Sequence, residues 1–388
     1  MQIFVYGTLC HPPLLQAVLG HAARSLPAVL PDHAVYWARG GAFPLIVRQP
    51  GGQAAGLLLC DLTSADVARL DFYEGGFGYD LADVTVRVMT GAAPTAIPSL
   101  AASASVDCPA RAYLPRPGAW QPDAPWALDA WVARYGAAAV ATALDFMDHL
   151  GEVPAARLAP RYGQMLVRGA SRVRGAAPGA TRLRRATEPG DVQIAARRHP
   201  YAAFFAVEEY DLRHRRFDGS MGETVTRAAF VSGDAVTVLP YDPARDRVLL
   251  VEQFRTGPLA RGDAQLWQLE PVAGRIDPGE TPDEAARREA VEEANLTLGA
   301  LHPVAGFYPS PGMVSEYIYA YLAIADLPDG CTGVFGAAEE AEDIRGHLLS
   351  FAALMDLLAS GEAANAPLIL TALWLQRERA RLRATATG

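Results

Sequence analysis

The stretch Gly274–Leu296, GRIDPGETPDEAARREAVEEANL, constrains the fold more than any other. A loop rich in Gly and Pro runs into Thr281-Pro282-Asp283-Glu284. There Thr281 suits a helix N-cap, Pro282 the first helical position and Glu284 the third position of a capping box. The spacing predicts a helix from Pro282 to about Ala294, with Ala286, Ala290, Val291 and Ala294 facing a core. Glu289 and Glu293 stand four apart with Glu292 beside them, so their carboxylates share a face at about 5–6 Å between Cβ atoms. Like charges so placed repel unless a cation lies between them. Hard oxygen donors on a rigid element suit Mg2+ or Mn2+. The plainer alternative is a solvated Glu/Arg face, the usual origin of such charge runs.

The flanking residues favour the metal reading. Five residues separate Gly274 from Glu280, and seven more separate Glu280 from Arg288-Glu289. An apolar residue and a free position then precede Glu292-Glu293, and one residue precedes Asn295-Leu296. This pattern resembles the Nudix hydrolase box at every defining position but one. The family has Gly where Asn295 stands, at a helix C-terminus in the left-handed region, and Asn is the next most tolerant residue there. The departure leaves the acidic positions untouched.

Composition narrows the rest. A chain of 388 residues is long enough for two ordinary domains. It contains no lysine, which excludes a Walker A lysine, a Schiff-base lysine and a kinase-type phosphate lysine. A net charge of −9 argues against a nucleic-acid surface and suits a protein that gathers divalent cations. Four widely spaced cysteines without a CxxC pair make structural zinc and a disulfide framework improbable. MQIFVYGTLC reads as a strand, not a signal peptide, and the apolar helical stretch around Trp131–Met147 is broken by Arg134 and Asp145 and too short to span a membrane. The expected location is the cytoplasm. No GxGxxG after a strand, GxSxG elbow, HExxH spacing or internal repeat is visible.

In the first half, Ile3, Val5 and Tyr6 open a short strand before Gly7-Thr8-Leu9, and Pro12–Leu19 reads as an amphipathic helix. Phe43–Val47, a turn at Pro50-Gly51-Gly52 and a strand Gly56–Leu62 suggest a hairpin; Leu70-Asp71-Phe72-Tyr73-Glu74-Gly75 and an alternating strand Val84–Val88 follow. This set resembles the gamma-glutamylcyclotransferase family in its AIG2-like branch. The resemblance implies a small mixed β-barrel with flanking helices. It implies that the loop Tyr6-Gly7-Thr8-Leu9 holds a substrate α-carboxylate, that Glu74 is the general base closing 5-oxoproline, and that Tyr113 lines the same cavity. The alternative is a loop carboxylate beside two packing tyrosines, in a domain that only binds or dimerises. Residues 92–110, rich in Ala, Ser and Pro, read as a loop. Pro125–Leu150 reads as one helix and Pro154 to about Arg174 as a second, basic one whose Arg168, Arg172 and Arg174 form a solvated face. The expected division is a first domain over 1–174, a linker over 175–190 and a second domain over 191–388.

In the second half, Val192–Glu209, Tyr210–Phe217, Val225–Val231, Ala235–Pro240 and Arg247–Gln253 read as strands ahead of the acidic helix. The segment resembles the ADP-ribose pyrophosphatase branch of the Nudix hydrolases through YAAFFAVEEYDLRHRRFDG, VEQFRTG, LEPVAGRID, FYPSPGMVSE and EEAEDIR. The resemblance implies an α/β (α+β) sandwich with a mixed sheet, and Mg2+-dependent cleavage of ADP-ribose to AMP and ribose 5-phosphate. It implies metal binding by the carbonyl of Ala273 with Glu289, Glu293 and Glu342, and Glu340 as general base. Arg288 would orient the box, Glu292 would support a further metal, Arg255 would meet the diphosphate, and Glu316 would contact substrate or metal. Phe204 would stack on adenine and Arg227 would reach the ligand from a partner subunit of a homodimer. Each has a plainer reading: a salt bridge for Arg255, a core position for Phe204, and a neighbour such as Glu339 in place of Glu340. The rivals are another nucleoside diphosphate substrate, such as a nucleotide sugar or NADH, and a sensor that binds without turnover. The pairing of the two domains resembles a bacterial architecture associated with tellurite resistance.

Overall fold

A computed structural model describes residues 1–89, 105–337 and 342–386. The chain divides into two compact units, Met1–Ala180 and Thr181–Gly388. Among the described residues no helix is long and apolar enough to cross a membrane.

The first unit runs β1 (Ile3–Val5), α1 (Pro12–Leu19), β2 (Ser25–Ala38), β3 (Pro44–Leu59), α2 (Ser64–Glu74), β4 (Tyr79–Met89), β5 (Ser105–Pro115) and β6 (Pro122–Pro125). α3 (Leu128–Trp131) then passes through a wide turn at Val132–Gly136 into α4 (Ala137–Met147), followed by α5 (Ala155–Leu158) and α6 (Tyr162–Gly175). Strand order is β3-β1-β5-β4-β2-β6, and β2 also pairs with β3, so five strands close on themselves. β1 and β5 are parallel and the other pairs antiparallel, giving the small mixed barrel expected. Alternation sorts the strands: Phe4, Leu58 and Ala112 belong to one buried cluster, while Ile3, Val5, Leu57 and Leu59 join the helices in another.

Three local readings change. Pro50-Gly51-Gly52 does not end a strand. β2 and β3 pair on both sides of it, with Asp32 opposite residues 49–52 and its carboxylate accepting from the Gly51 amide at 2.8 Å. Residues 105–110, read as loop, pair with β4 because the strand period resumes before the apolar signal does, while residues 92–104 lie outside the described residues. Arg168 is buried and Arg172 pairs with buried Asp145, so the basic helix is not a solvated face; Gly169 lets it lie against Thr142 of α4.

The second unit runs β7 (Val192–Ala202), β8 (Ala206–His214), β9 (Val225–Val231), β10 (Ala235–Asp242), β11 (Arg247–Phe254), α7 (Thr256–Arg261), β12 (Trp267–Glu270), β13 (Val272–Arg275) and α8 (Pro282–Ala294). β14 (Leu301–Phe307), β15 (Ile318–Ile324), β16 (Val334–Phe335), β17 (Ile344–Ser350), α9 (Phe351–Ser360) and α10 (Ala366–Ala386) complete it. The strand read over Val192–Glu209 is broken at 203–205, where Phe204 and Phe205 turn outward, and β7-β8-β9 form their own sheet. The main sheet is mixed, with β10 and β15 parallel and order β14-β15-β10-β11-β17-β16. Val236, Val238, Leu249 and Val251 pack on α8; Leu239, Tyr241, Val248 and Leu250 pack with α9 and α10. Strands covered on both faces read as continuous apolar runs, which is why β10 and β11 carry no polar alternation. The result is the α/β/α sandwich anticipated.

Candidate functional site

α8 begins and ends as its sequence dictates. Thr281 accepts from the Glu284 amide while Glu284 accepts from the Thr281 amide, and Asn295 closes the helix at φ 49° and ψ 39°. Ala285, Ala286, Glu289, Ala290, Glu293 and Ala294 form its buried stripe. Val291, expected in the core, lies outside that stripe and is 54% exposed. The stripe therefore carries two carboxylates into the protein, not a greasy seam alone.

Glu293 is 1% exposed and accepts from the Ala273 amide at 2.9 Å and the Gln253 side-chain amide at 3.3 Å. Glu289 is nearly as buried and receives the Arg288 guanidinium at 2.7 Å. It lies flat against Gly274, where any Cβ would collide with its carboxylate. Arg288 also bonds Glu280 at 2.9 Å, Glu292 at 3.0 Å and the Arg275 carbonyl at 2.9 Å, which fixes the loop to the helix. Burial pushes the Glu289 carboxyl up to about 7, with Glu292 and Glu342 adding to the rise against Arg288. Burial likewise pushes Glu293 up to about 8, helped by Glu289 and Glu342 and opposed by the Ala273 amide and Arg255. Glu342 accepts from the Ala337 amide at 3.0 Å.

These carboxylates repel one another, and the arginine beside them is already shared among several acceptors. Hard oxygens packed this densely, with a glycine cradle keeping them together, fit a divalent cation. Arg255, at the end of β11, is held by Glu270 at 2.7 Å. Burial works against its charge, but Glu270, then Glu293 and Glu342, outweigh that and raise its pKa. Glu316 is raised by burial and by Asp234, with Arg255 and Arg275 opposing. Phe204 is half-exposed and its ring carries the Arg275 guanidinium at 4.5 Å. Arg255, Glu316, Arg275 and Phe204 thus extend from the carboxylates toward solvent. Arg227 is exposed on β9, its guanidinium bonded to the Thr226 carbonyl at 2.9 Å, and contacts none of them within the described chain. Glu340 lies outside the described residues.

Sequence reasoning passed over Arg275, Gln253, Glu270 and Asp234. Arg275 directly follows the cradle glycine, and Gln253 lies in the quoted VEQFRTG segment; the pairing of strands that brings them to α8 is what a linear reading lacks.

The barrel unit has its own centre. Glu74, the last residue of α2, lines a cavity of about 360 Å3 together with Tyr6, Gly7, Thr8, Leu9 and Tyr113. Tyr6 donates to the Tyr113 carbonyl at 2.6 Å, and the Tyr113 hydroxyl donates to Asp71 at 2.6 Å, so both tyrosines are anchored through the backbone and α2. Gly7 packs against the Pro44 ring where a side chain would not fit. The amides of Gly7, Thr8 and Leu9 meet no acceptor among the described residues. Among the described residues the Glu74 carboxylate forms no hydrogen bond either, and burial pushes it up to about 7. A carboxyl tuned to that range is suited to take and return a proton near neutral pH.

Comparison with known proteins gives two domain families. The NUDIX domain matches residues 231–371, and gamma-glutamyl cyclotransferase, AIG2-like, matches residues 3–128. An ADP-ribose pyrophosphatase of Escherichia coli (strain K12) is 40% identical over 186 residues, 48% of this chain and 88% of that protein. An ADP-ribose pyrophosphatase of Haemophilus influenzae is 32% identical over 194 residues, 50% of this chain and 89% of that protein. A GDP-mannose pyrophosphatase of Salmonella paratyphi B is 31% identical over 169 residues, 43% of this chain and 84% of that protein.

Proposed function

The chain belongs to the NUDIX family, and from that premise we propose that its second unit is an ADP-ribose diphosphatase, cleaving ADP-ribose to AMP and ribose 5-phosphate with Mg2+ or Mn2+. The observation that carries this is the pair of buried carboxylates on α8, Glu289 against Gly274 and Glu293 on the Ala273 amide, with Glu342 and Arg255 near enough to shift their ionisation. The Ala273 carbonyl, Glu289, Glu293 and Glu342 would hold the metal. A bound divalent ion supplies charge neutralisation at the diphosphate and a more acidic water. Arg255 binds the diphosphate, Glu316 contacts the substrate's sugar side, and Phe204 offers a ring face to adenine. Arg288 and Glu292 keep the box in register, and Glu340 accepts the proton of the attacking water. Arg227, exposed and bonded only to the neighbouring Thr226 carbonyl among the described residues, serves the partner's site in a homodimer in the cytoplasm. A panel of ADP-ribose, GDP-mannose and NADH with Mg2+ tests the reading: ADP-ribose leads in kcat/KM and EDTA abolishes turnover. A nucleotide sugar leading the panel would reassign the substrate, and binding without hydrolysis would make this unit a sensor.

A second reading has its own observation. Glu74 and the backbone amides of Gly7, Thr8 and Leu9 line one cavity and have no hydrogen-bond partner among the described residues, which supports a gamma-glutamylcyclotransferase-type reaction in the barrel unit. The amides of Gly7, Thr8 and Leu9 hold the glutamyl α-carboxylate, and Glu74 takes the proton of the attacking amine. Release of 5-oxoproline from gamma-glutamyl amines measures it.

A further inference from the structure

The cavity around Glu74 is walled largely by aromatic rings, and its tyrosine hydroxyls can be accounted for one by one. Tyr6 donates to the Tyr113 carbonyl, Tyr113 to Asp71, and Tyr79 to the Pro44 carbonyl at 3.1 Å. Tyr73 and Tyr162 bond each other, hydroxyl to hydroxyl, at 3.0 Å. Each hydroxyl carries one proton. Whichever of the two donates, the other keeps an O–H without an acceptor among the described residues. The surroundings decide which. Burial pushes the Tyr162 hydroxyl up to about 12; the bond with Tyr73 works against that rise and the Glu74 charge adds to it. Burial raises Tyr73 as well, and there the Tyr162 charge and the bond between them add to the rise. A bond that favours ionised Tyr162 and disfavours ionised Tyr73 is one that Tyr73 donates. The unspent proton is therefore on Tyr162, close enough to Glu74 to feel its charge.

Tyr162 opens α6, past the residues that match the cyclotransferase family. Gly76, two residues after Glu74, makes its approach possible. A Cβ on Gly76 would lie 2.8 Å from both the Ala155 carbonyl oxygen and the Ala159 side chain, too close for any other residue. α5 and the turn after it thus rest directly on the end of α2, and Ala159, Tyr162, Gly163 and Leu166 line the cavity. Phe77 meets the Tyr162 ring edge-on at 5.2 Å and Phe146 at 6.1 Å, so the hydroxyl is fixed before any ligand arrives.

We propose that Tyr162 is a catalytic residue of the barrel unit: its hydroxyl donates to the γ-carbonyl oxygen as that oxygen gathers charge, and Tyr73 positions it. The proposal rests on the cyclotransferase reading of Glu74. The glutamyl α-amine nitrogen attacks the γ-carbonyl carbon, the C=O π pair moves onto the oxygen, and Glu74 takes the amine proton. Re-forming the carbonyl breaks the original amide C–N bond, and Glu74 returns the proton to the leaving amine. 5-Oxoproline and the free amine form with no water consumed, and Tyr162 keeps its proton throughout. A donor held in a desolvated site is worth most when the oxygen is most charged, so its contribution belongs to the transition state. The amides of Gly7, Thr8 and Leu9 are engaged by the α-carboxylate, so the γ-carbonyl oxygen needs a different donor. Two further lining hydroxyls lack a partner among the described residues: Thr8, in that same carboxylate loop, and Tyr135, whose ring packs edge-on against Trp37 at 6.5 Å.

Steady-state release of 5-oxoproline by the full chain, from gamma-glutamylbutylamide and from gamma-glutamylalanine, tests this. On whichever substrate is turned over, Tyr162→Phe should lower kcat about 10²-fold and leave KM within about threefold. Tyr73→Phe leaves the Tyr162 proton but removes its support, and should lower kcat about tenfold with KM again unchanged. Tyr135→Phe should match the native chain in both constants. The proposal is overturned if Tyr162→Phe keeps its kcat, if its loss falls in KM alone, or if Tyr135→Phe shows the loss instead. If the native chain releases 5-oxoproline from neither substrate, the cyclotransferase reading fails, and calorimetric binding of 5-oxoproline judges the donor by itself. Binding weakened about threefold or more by Tyr162→Phe, and unchanged by Tyr135→Phe, keeps the donor. Equal binding by the native chain and Tyr162→Phe, or binding to neither, overturns it too.

Discussion

Glu74 in the barrel and Glu293 in the sandwich are both desolvated carboxyls raised toward neutrality, yet for different reasons. Burial alone raises Glu74, which has aromatic neighbours and, among the described residues, no hydrogen bond. Glu293 has two amide donors, which stabilise its charge, and two carboxylate neighbours that raise it further. A lone desolvated carboxyl is poised to exchange a proton. A crowd of carboxylates held open by a glycine cradle and an arginine brace is poised to accept positive charge. The same direction of shift therefore marks two chemistries, and the neighbours decide which.

The sharpest way to break this contrast is a crossed pair of substitutions. Glu74→Gln should cut 5-oxoproline release about 10²–10⁴-fold, the usual worth of a positioned base, and leave ADP-ribose hydrolysis unchanged. Glu293→Gln should cut ADP-ribose hydrolysis about 10²–10³-fold, by analogy with removing one preorganised charge-stabilising group, and leave 5-oxoproline release unchanged. If either change depresses both activities together, the two centres are not independent. A smaller effect follows from pH. The base must be ionised, and its carboxyl sits at about 7, so kcat/KM for 5-oxoproline release should rise up to about pH 7 and level off above it. Stability runs the other way. A carboxyl whose folded pKa is raised binds its proton more tightly when folded, so stability falls as pH rises from the ordinary carboxyl range to about 7. Glu74→Gln, which never ionises, should then melt at a higher temperature than the native chain at pH 8. A lower melting temperature at that pH would mean that Glu74 is held by bonds and not merely desolvated.

The sandwich site was legible because one helix displays most of it in sequence. Thr281, Pro282, Glu284, Glu289, Glu293 and Asn295 lie within one continuous segment whose spacing is set by 3.6 residues per turn. The barrel centre was legible only in part. Glu74 and the loop at Gly7 stand in short motifs, but the aromatic wall comes from the β2–β3 connection, β4 and the segments around Trp120 and Trp131, brought together by barrel closure. No periodicity within one element announces such a wall. Arg168 misled for a related reason. A basic helix reads as solvated unless the buried partners on a neighbouring helix are known, and Asp145 on α4 draws Arg172 of that helix inward.

The smallest effect tests the one place where the box departs from its pattern. Asn295 sits at φ 49°, where its amide donates to the Val291 carbonyl at 3.0 Å and the Leu296 amide to the Ala290 carbonyl at 2.9 Å. Leu296 is buried directly behind it and anchors the turn. The left-handed conformation costs a residue with a Cβ roughly 1–2 kcal/mol, less for Asn, whose short amide bonds locally, and nothing for Gly. Asn295→Gly should therefore raise the urea midpoint by a gain of under about 1 kcal/mol, whereas Asn295→Ala should lose about 1 kcal/mol. Neither substitution touches a carboxylate, so ADP-ribose hydrolysis per folded molecule should be the same in all three. A fall in hydrolysis with Asn295→Gly would mean that the asparagine side chain, and not only its backbone, holds α8 in register with the Ala273 strand.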